Sequence, residues 1–120
     1  MILIYHDPNS IESIECLNIL KKNKKKHKIV KYLENPPTEN KLKKIVNKLD
    51  IRPYNLIKTE DSLWKEHYQE FVKNEGDFED IEYIKVLTEF PQLIRTPIVV
   101  KGKKAVLCDP PEKVFSFINE

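Results

Sequence analysis

Ser10 occupies a place in this chain where a thiol nucleophile would be strongly activated. Residues Ile4-Tyr5-His6-Asp7-Pro8-Asn9-Ser10-Ile11-Glu12-Ser13 read as a short apolar strand, a proline turn and the start of a helix. Unpaired N–H groups and the macrodipole at a helix N-terminus favour an anion or a thiolate. A cysteine there would be a low-pKa nucleophile. A serine is not one, because no helix dipole brings an alcohol near ionisation at neutral pH. His6 could tune a group at position 10, but a hydrogen bond at the strand end is its expected role. The two cysteines lie elsewhere. Cys16 is nearly two turns into the same helix, beside Leu17 and Leu20, and Cys108 closes a later strand. Both are expected to act as small buried apolar residues, with a relocated thiol nucleophile as the alternative. No Gly-x-Ser-x-Gly elbow surrounds Ser10, which argues against a serine hydrolase. His6, His27, His67 and the two cysteines show no ligand spacing, so no metal is expected.

The elements that must hold these residues follow from pattern. Ile2–Tyr5 reads as a buried strand. Ser10 to about Lys22 reads as a helix, with Ser10 as its N-cap and Leu17 and Leu20 on its core stripe. It ends in the lysines of 21–26, which suit a helix C-terminus and could alternatively form a polybasic patch for an acidic partner. Residues 27–32 alternate polar and apolar, as an edge strand does. Asn35-Pro36-Pro37 breaks the chain, and Thr38 caps a second helix carrying Leu42, Ile45, Val46 and Leu49.

The stretch 53–90 shows no clear strand. Leu56, Ile57, Leu63, Trp64, Tyr68 and Phe71 suggest short helices with aromatic anchors. A further helix is expected from Phe78 to about Phe90, with Ile81, Ile84 or Lys85, and Thr88 marking its turns and Pro91 stopping it. Ile98–Val100 and Ala105–Cys108 form a hairpin around Gly102. Pro111 opens a last helix with Val114, Phe115 and Ile118 inward. The order β-α-β-α, helical insert, β-β-α predicts an α/β fold: a four-stranded mixed sheet with flanking helices, in the thioredoxin-like (glutaredoxin-like) arrangement. The expected organisation is a single domain over 1–120, with the insert at about 53–92. In this arrangement the bond before the third strand, Thr96-Pro97, is expected to be cis and to face the first helix.

Composition narrows the function classes. The 120 residues suit one domain, and 40% apolar with 33% charged residues is a globular balance. A net charge of +2 argues against a dedicated nucleic-acid binder. Arg52 and Arg95 are the only arginines, which matters because planar, bidentate oxyanion recognition favours Arg. The apolar N-terminus is too short for a signal peptide, no apolar run could span a bilayer, and two distant cysteines make no disulfide framework. A cytoplasmic protein with reduced thiols is the expectation.

Three pieces of the chain together carry a family resemblance: Ile4-Tyr5-His6-Asp7-Pro8; Val30-Lys31-Tyr32-Leu33-Glu34-Asn35-Pro36-Pro37-Thr38; and Leu93-Ile94-Arg95-Thr96-Pro97-Ile98-Val99-Val100-Lys101-Gly102. In this order and spacing the chain resembles the glutaredoxin-linked arsenate reductase (ArsC) family, which also includes Spx-type regulators and YffB-like proteins. The family's nucleophile loop has the form Tyr-His-Asn-Pro-x-Cys-x-x-Ser. Matched to it, His6, Pro8 and Ser13 are retained, Asp7 replaces the Asn, and Ser10 stands at the nucleophile. The resemblance implies a thiolate that attacks arsenate, with glutathione and glutaredoxin completing the reduction. Serine cannot substitute, because the reaction requires sulfur to be oxidised.

The three arginines that the resemblance implies for the oxyanion clamp fall at Lys58, Thr96 and Asp109, with Arg95 one position early on a strand-like segment. A carboxylate at 109 repels an oxyanion. Glu12 adds a second negative charge; at about 6 Å two unit charges repel by roughly 3 kcal/mol at an effective dielectric of 20. Two function classes result. One is a catalytically degenerate family member, a pseudoenzyme acting as a binding or regulatory module, as the polymerase-binding Spx-type relatives illustrate at the level of fold. The other is a thiol oxidoreductase using Cys16 or Cys108, or glutathione or glutaredoxin held beside Thr96-Pro97. The first is favoured. Ile11 and Ile14, expected to be exposed beside the lysine run, offer a partner face. No membrane association and no cofactor beyond glutathione as co-substrate are expected.

Overall fold

The computed structural model describes residues 1–119. It divides into two compact units: Met1–Asn35 together with the chain from Thr96 onward, and Pro36–Arg95.

The first unit holds the sheet. β1 (Ile2–Tyr5) pairs in parallel with β2 (His27–Val30) and antiparallel with β3 (Ile98–Lys101), and β3 pairs antiparallel with β4 (Lys104–Leu107). The strand order is β2-β1-β3-β4, so β2 is an edge strand. This is the expected four-stranded mixed sheet of the thioredoxin-like fold. β1 and β2 are parallel because the chain returns between them through α1 (Ile11–Lys22). The β3–β4 hairpin turns on Gly102, whose φ of +62° lies in the left-handed region that glycine enters without a Cβ penalty.

Alternation along the strands sends Ile2, Ile4 and Val99 to one face, where they meet Cys16, Leu17 and Leu20 of α1 and Val114, Phe117 and Ile118 of α5 (Lys113–Ile118). Cys108 completes that core. Burying each large apolar side chain there contributes roughly 1.5–3 kcal/mol.

The second unit is helical. It contains α2 (Glu39–Leu49), α3 (Ser62–His67) and α4 (Asp80–Glu89), with single 3-10 turns at Pro53–Leu56, Glu75–Asp77 and Pro91–Leu93. Thr38 caps α2 as expected, accepting the Lys41 N–H at 3.2 Å. An isolated antiparallel bridge joins Ile57 to Ile94. Among the described residues no helix is long and apolar enough to cross a membrane.

Four details depart from the sequence reading. The second strand stops at Val30 rather than 32, because the Lys31 carbonyl accepts N–H groups from Glu34 and Asn35 and closes a turn. Tyr32 lies in that turn and is buried. In α4 the buried stripe is Tyr83, Ile84, Val86 and Leu87, so Ile81 and Thr88 lie off the core face. In α5 Phe117 points inward and Phe115 is exposed, because starting the helix at Lys113 puts Val114, Phe117 and Ile118 on one face. Phe71 is also exposed, and Val72 takes the buried position beside it.

Candidate functional site at the start of the first helix

Local backbone chemistry builds the loop between β1 and α1. Pro8 presets the turn after Asp7, and the Ser10 N–H closes it on the Asp7 carbonyl at 3.1 Å. The Asp7 carboxylate accepts the Asn9 N–H at 2.9 Å, the local bond that makes Asp a favoured turn residue. Ser10 is extended at φ −97°, ψ 125°, the geometry of an N-cap. Its Oγ accepts the Ser13 N–H at 3.3 Å and donates to Glu12 Oε2 at 3.2 Å. Both bonds go to its own helix. The hydroxyl is a cap with a carboxylate beside it.

Ser13 is the one polar residue in the buried set among the described residues. Its Oγ accepts the Asp7 N–H at 3.0 Å and meets His6 Nδ1 at 2.6 Å. The hydroxyl has one proton, and among the described residues His6 Nδ1 is the acceptor that faces it. A neutral ring protonated at Nε2 accepts that proton at Nδ1, and the other tautomer donates there instead. Burial pulls the His6 pKa below its ordinary value, Lys21 acts in the same direction, and Asp7 and a hydrogen bond with Ser13 oppose them. His6, Ser10 and Ser13 thus form one hydrogen-bonded cluster.

The remaining predicted residues fall into three groups. Thr96 and Pro97 lie before β3, and the Thr96–Pro97 and Asp109–Pro110 peptide bonds are cis. Thr96 Oγ1 lies 3.0 Å from the Tyr32 hydroxyl, and burial raises that phenol to about 12 against the opposing hydrogen bond with Thr96. Asp109 is exposed beyond β4. Among the described residues no hydrogen bond joins Ser10 to Thr96 or Asp109.

Cys16 and Cys108 form the second group: both are free thiols with no exposed surface. They share one core; the Cys108 thiol donates to the Val106 carbonyl at 3.9 Å, and its interaction with Cys16, then burial, push its pKa up while the same interaction pulls the Cys16 pKa down.

Lys58 and Arg95, the third group, belong to the helical unit and flank the Ile57–Ile94 bridge. The Lys58 N–H donates to the Leu93 carbonyl at 2.8 Å, and the Arg95 N–H donates to the Leu56 carbonyl at 2.8 Å. Arg95 is already engaged. Its guanidinium donates to both carboxylate oxygens of Glu60, at 2.8 and 2.9 Å. Burial pushes the Glu60 pKa up, but the Arg95 bond and nearby cations outweigh it, and the net shift is downward. Ile11 and Ile14 are exposed as expected, at 69% and 41%.

The sequence reading missed Tyr32 and Glu60 as partners. Tyr32 carried a signal, since it lies within the Tyr-Leu-Glu-Asn-Pro-Pro-Thr piece. Glu60 carried none, because its role depends on a residue 35 positions away.

The family model described as "ArsC family" matches residues 12–117. The chain belongs to the ArsC family. An arsenate reductase of Yersinia enterocolitica is 33% identical over 119 residues, covering 99% of this chain and 82% of the relative. An arsenate reductase of Haemophilus influenzae is 32% identical, with 98% of each chain covered. Among solved structures, an arsenate reductase from Vibrio cholerae superposes with a TM-score of 0.87 at 28% identity, covering 96% of this chain and 95% of its own. The sheet order described above is therefore the ArsC-type form of the thioredoxin-like fold. Among the described residues no group of three or more His, Cys, Asp or Glu side chains is placed to hold a metal ion.

Proposed function

We propose that this ArsC-family chain is a catalytically degenerate member that serves as a binding or regulatory module rather than an arsenate reductase. The observation that carries the reading is the state of position 10. Its hydroxyl is spent on capping its own helix and on Glu12, and it offers no sulfur to be oxidised. The positions expected for the clamp add support: Lys58 supplies a point charge instead of a planar fork, Thr96 is neutral, Asp109 is anionic, and Arg95 is held by Glu60. A thiol route through Cys16 or Cys108 is disfavoured by their complete burial. Two free buried cysteines fit a reducing compartment, which is the basis for placing the protein in the cytoplasm.

The test is arsenate reduction with glutathione and glutaredoxin, run on the unmodified protein, Ser10→Cys, Cys16→Ala and Cys108→Ala. No turnover is expected from the unmodified protein, and at most weak turnover from Ser10→Cys, since the altered clamp remains. Turnover by the unmodified protein that either Cys→Ala change abolishes would overturn the reading.

A further inference from the structure

We propose that the outer edge of β2 and the lysine run that frames it are a docking surface for an acidic, extended peptide segment of a partner protein. β2 has one neighbour, β1, so half of its backbone N–H and C=O groups face away from the sheet. Among the described residues no backbone hydrogen bond outside the strand ladder closes on His27, Lys28 or Ile29. An added strand is the ligand that satisfies such an edge.

Charge selects which strand. Residues 21–31 contain seven lysines and no Asp or Glu, whereas the rest of the chain carries five more acidic than basic residues. Lys21, Lys22, Lys24, Lys26, Lys28 and Lys31 are exposed. Among the described residues none of the seven takes part in an ion pair, since the pairs present use Arg52 and Arg95. Lysines on an edge forbid pairing with a second copy, which would bring its own lysines opposite. The same lysines attract a strand rich in Asp and Glu and accelerate its encounter.

An apolar anchor point adjoins the edge. Ile29 and Leu33 remain 37% and 38% exposed. With His6, Pro8, Lys31 and Glu34 they line a recess of about 390 Å³ at the carboxyl ends of β1 and β2. One aliphatic side chain of an alternating acidic–apolar strand fits there. A single-stranded nucleic acid would share the attraction to lysine, but residues 21–31 supply no Phe, Tyr, Trp or Arg, and their one ring, His27, is held through Nδ1 by the Lys25 carbonyl at 2.7 Å. Such docking gives the binding-module reading a partner and rests on that reading for its purpose; the two fail separately, because peptide binding is measured without any reductase step.

The probe is a fluorescein-labelled peptide of about ten residues alternating Glu or Asp with Val or Leu, titrated with the full chain at low and at physiological salt. Saturable binding that weakens with salt is expected, with backbone amide perturbations centred on His27–Val30. Lys28→Glu combined with Lys31→Glu should weaken binding by about tenfold or more. A peptide of the same sequence with alternate backbone amides N-methylated keeps its charge but cannot pair, and it should lose about tenfold as well. Absence of binding, equal binding of the N-methylated peptide, or tighter binding of an oligothymidylate than of the peptide would each overturn the proposal.

Discussion

The start of α1 and the core pocket around Cys16 lie on one helix, less than two turns apart, and have opposite endowments. At position 10 the chain offers partial exposure, a helix N-terminus and a histidine within the same hydrogen-bonded cluster, but the side chain is a hydroxyl. At Cys16 and Cys108 it offers sulfur, but no exposed surface and a raised Cys108 pKa. A thiol enzyme needs sulfur, access and an electropositive setting at one point. Here these are divided. The polar bonds of the loop involve no sulfur: Ser13 serves His6 and Asp7, and Ser10 caps the helix.

The sharpest way to break this comparison is to put the sulfur back. In Ser10→Cys the new thiol should react with a disulfide reagent such as Ellman's about a hundredfold or more faster than either native thiol, because the native pair reacts only when the core opens. Adding Glu12→Gln should speed the reaction about threefold further by removing a neighbouring negative charge. Fast labelling of the unmodified protein in its folded state would show that Cys16 or Cys108 is accessible, and the division would collapse.

The next largest effect is on stability and concerns Ser13. Its hydroxyl is buried and bonded to the Asp7 N–H and to His6. Ser13→Ala leaves a buried N–H and a ring nitrogen without their partner, at a cost of about 1–3 kcal/mol. Chemical denaturation should report a lower midpoint with an unchanged slope. Ser10→Ala, by contrast, removes an exposed-end cap and should cost about 1 kcal/mol. If the two changes cost the same, the polar cluster is no more important to the fold than an ordinary helix cap.

How much of this was legible in the sequence depends on whether a signal was local. The limits of β1, the caps at Ser10 and Thr38, and the glycine of the hairpin rest on neighbouring residues, and each was read correctly. The sheet topology also followed, because a strand–helix–strand opening has few solutions. What failed was side-chain phase in short apolar helices. Phe115 and Phe117 are two apart in a six-residue helix, and the three–four spacing from Val114 puts Phe117 rather than Phe115 on the buried face. Alternation continues through Tyr32 and predicts a strand there, although a turn begins at the Lys31 carbonyl. In the site, Ser10 at the helix N-cap is legible from its neighbours. The commitment of Arg95 to Glu60 is not, since no local pattern links positions 60 and 95.

The smallest expected effect lies in the pH dependence of the same cluster. Burial holds the His6 pKa below the ordinary value of 6.5, so the unfolded chain takes up a proton at that ring before the folded chain does. The contribution is therefore fully present above pH 6.5 and is lost as pH falls through 6.5 toward the folded pKa. Denaturation midpoints of the unmodified protein should decline over that window more steeply than those of His6→Asn, which keeps a polar atom near the Nδ1 position but does not titrate. His27 and His67 are present in both proteins and cancel in the difference. An NMR titration of the ring reads the same quantity directly. A midpoint above 6.5 would mean that the folded loop prefers the imidazolium. Nδ1 would then be a donor, Ser13 Oγ would have to accept from both His6 and Asp7, and its own proton would need another acceptor. The neutral assignment, and with it the reading of this loop as a settled structural cluster rather than a charged site awaiting an anion, would have to be given up.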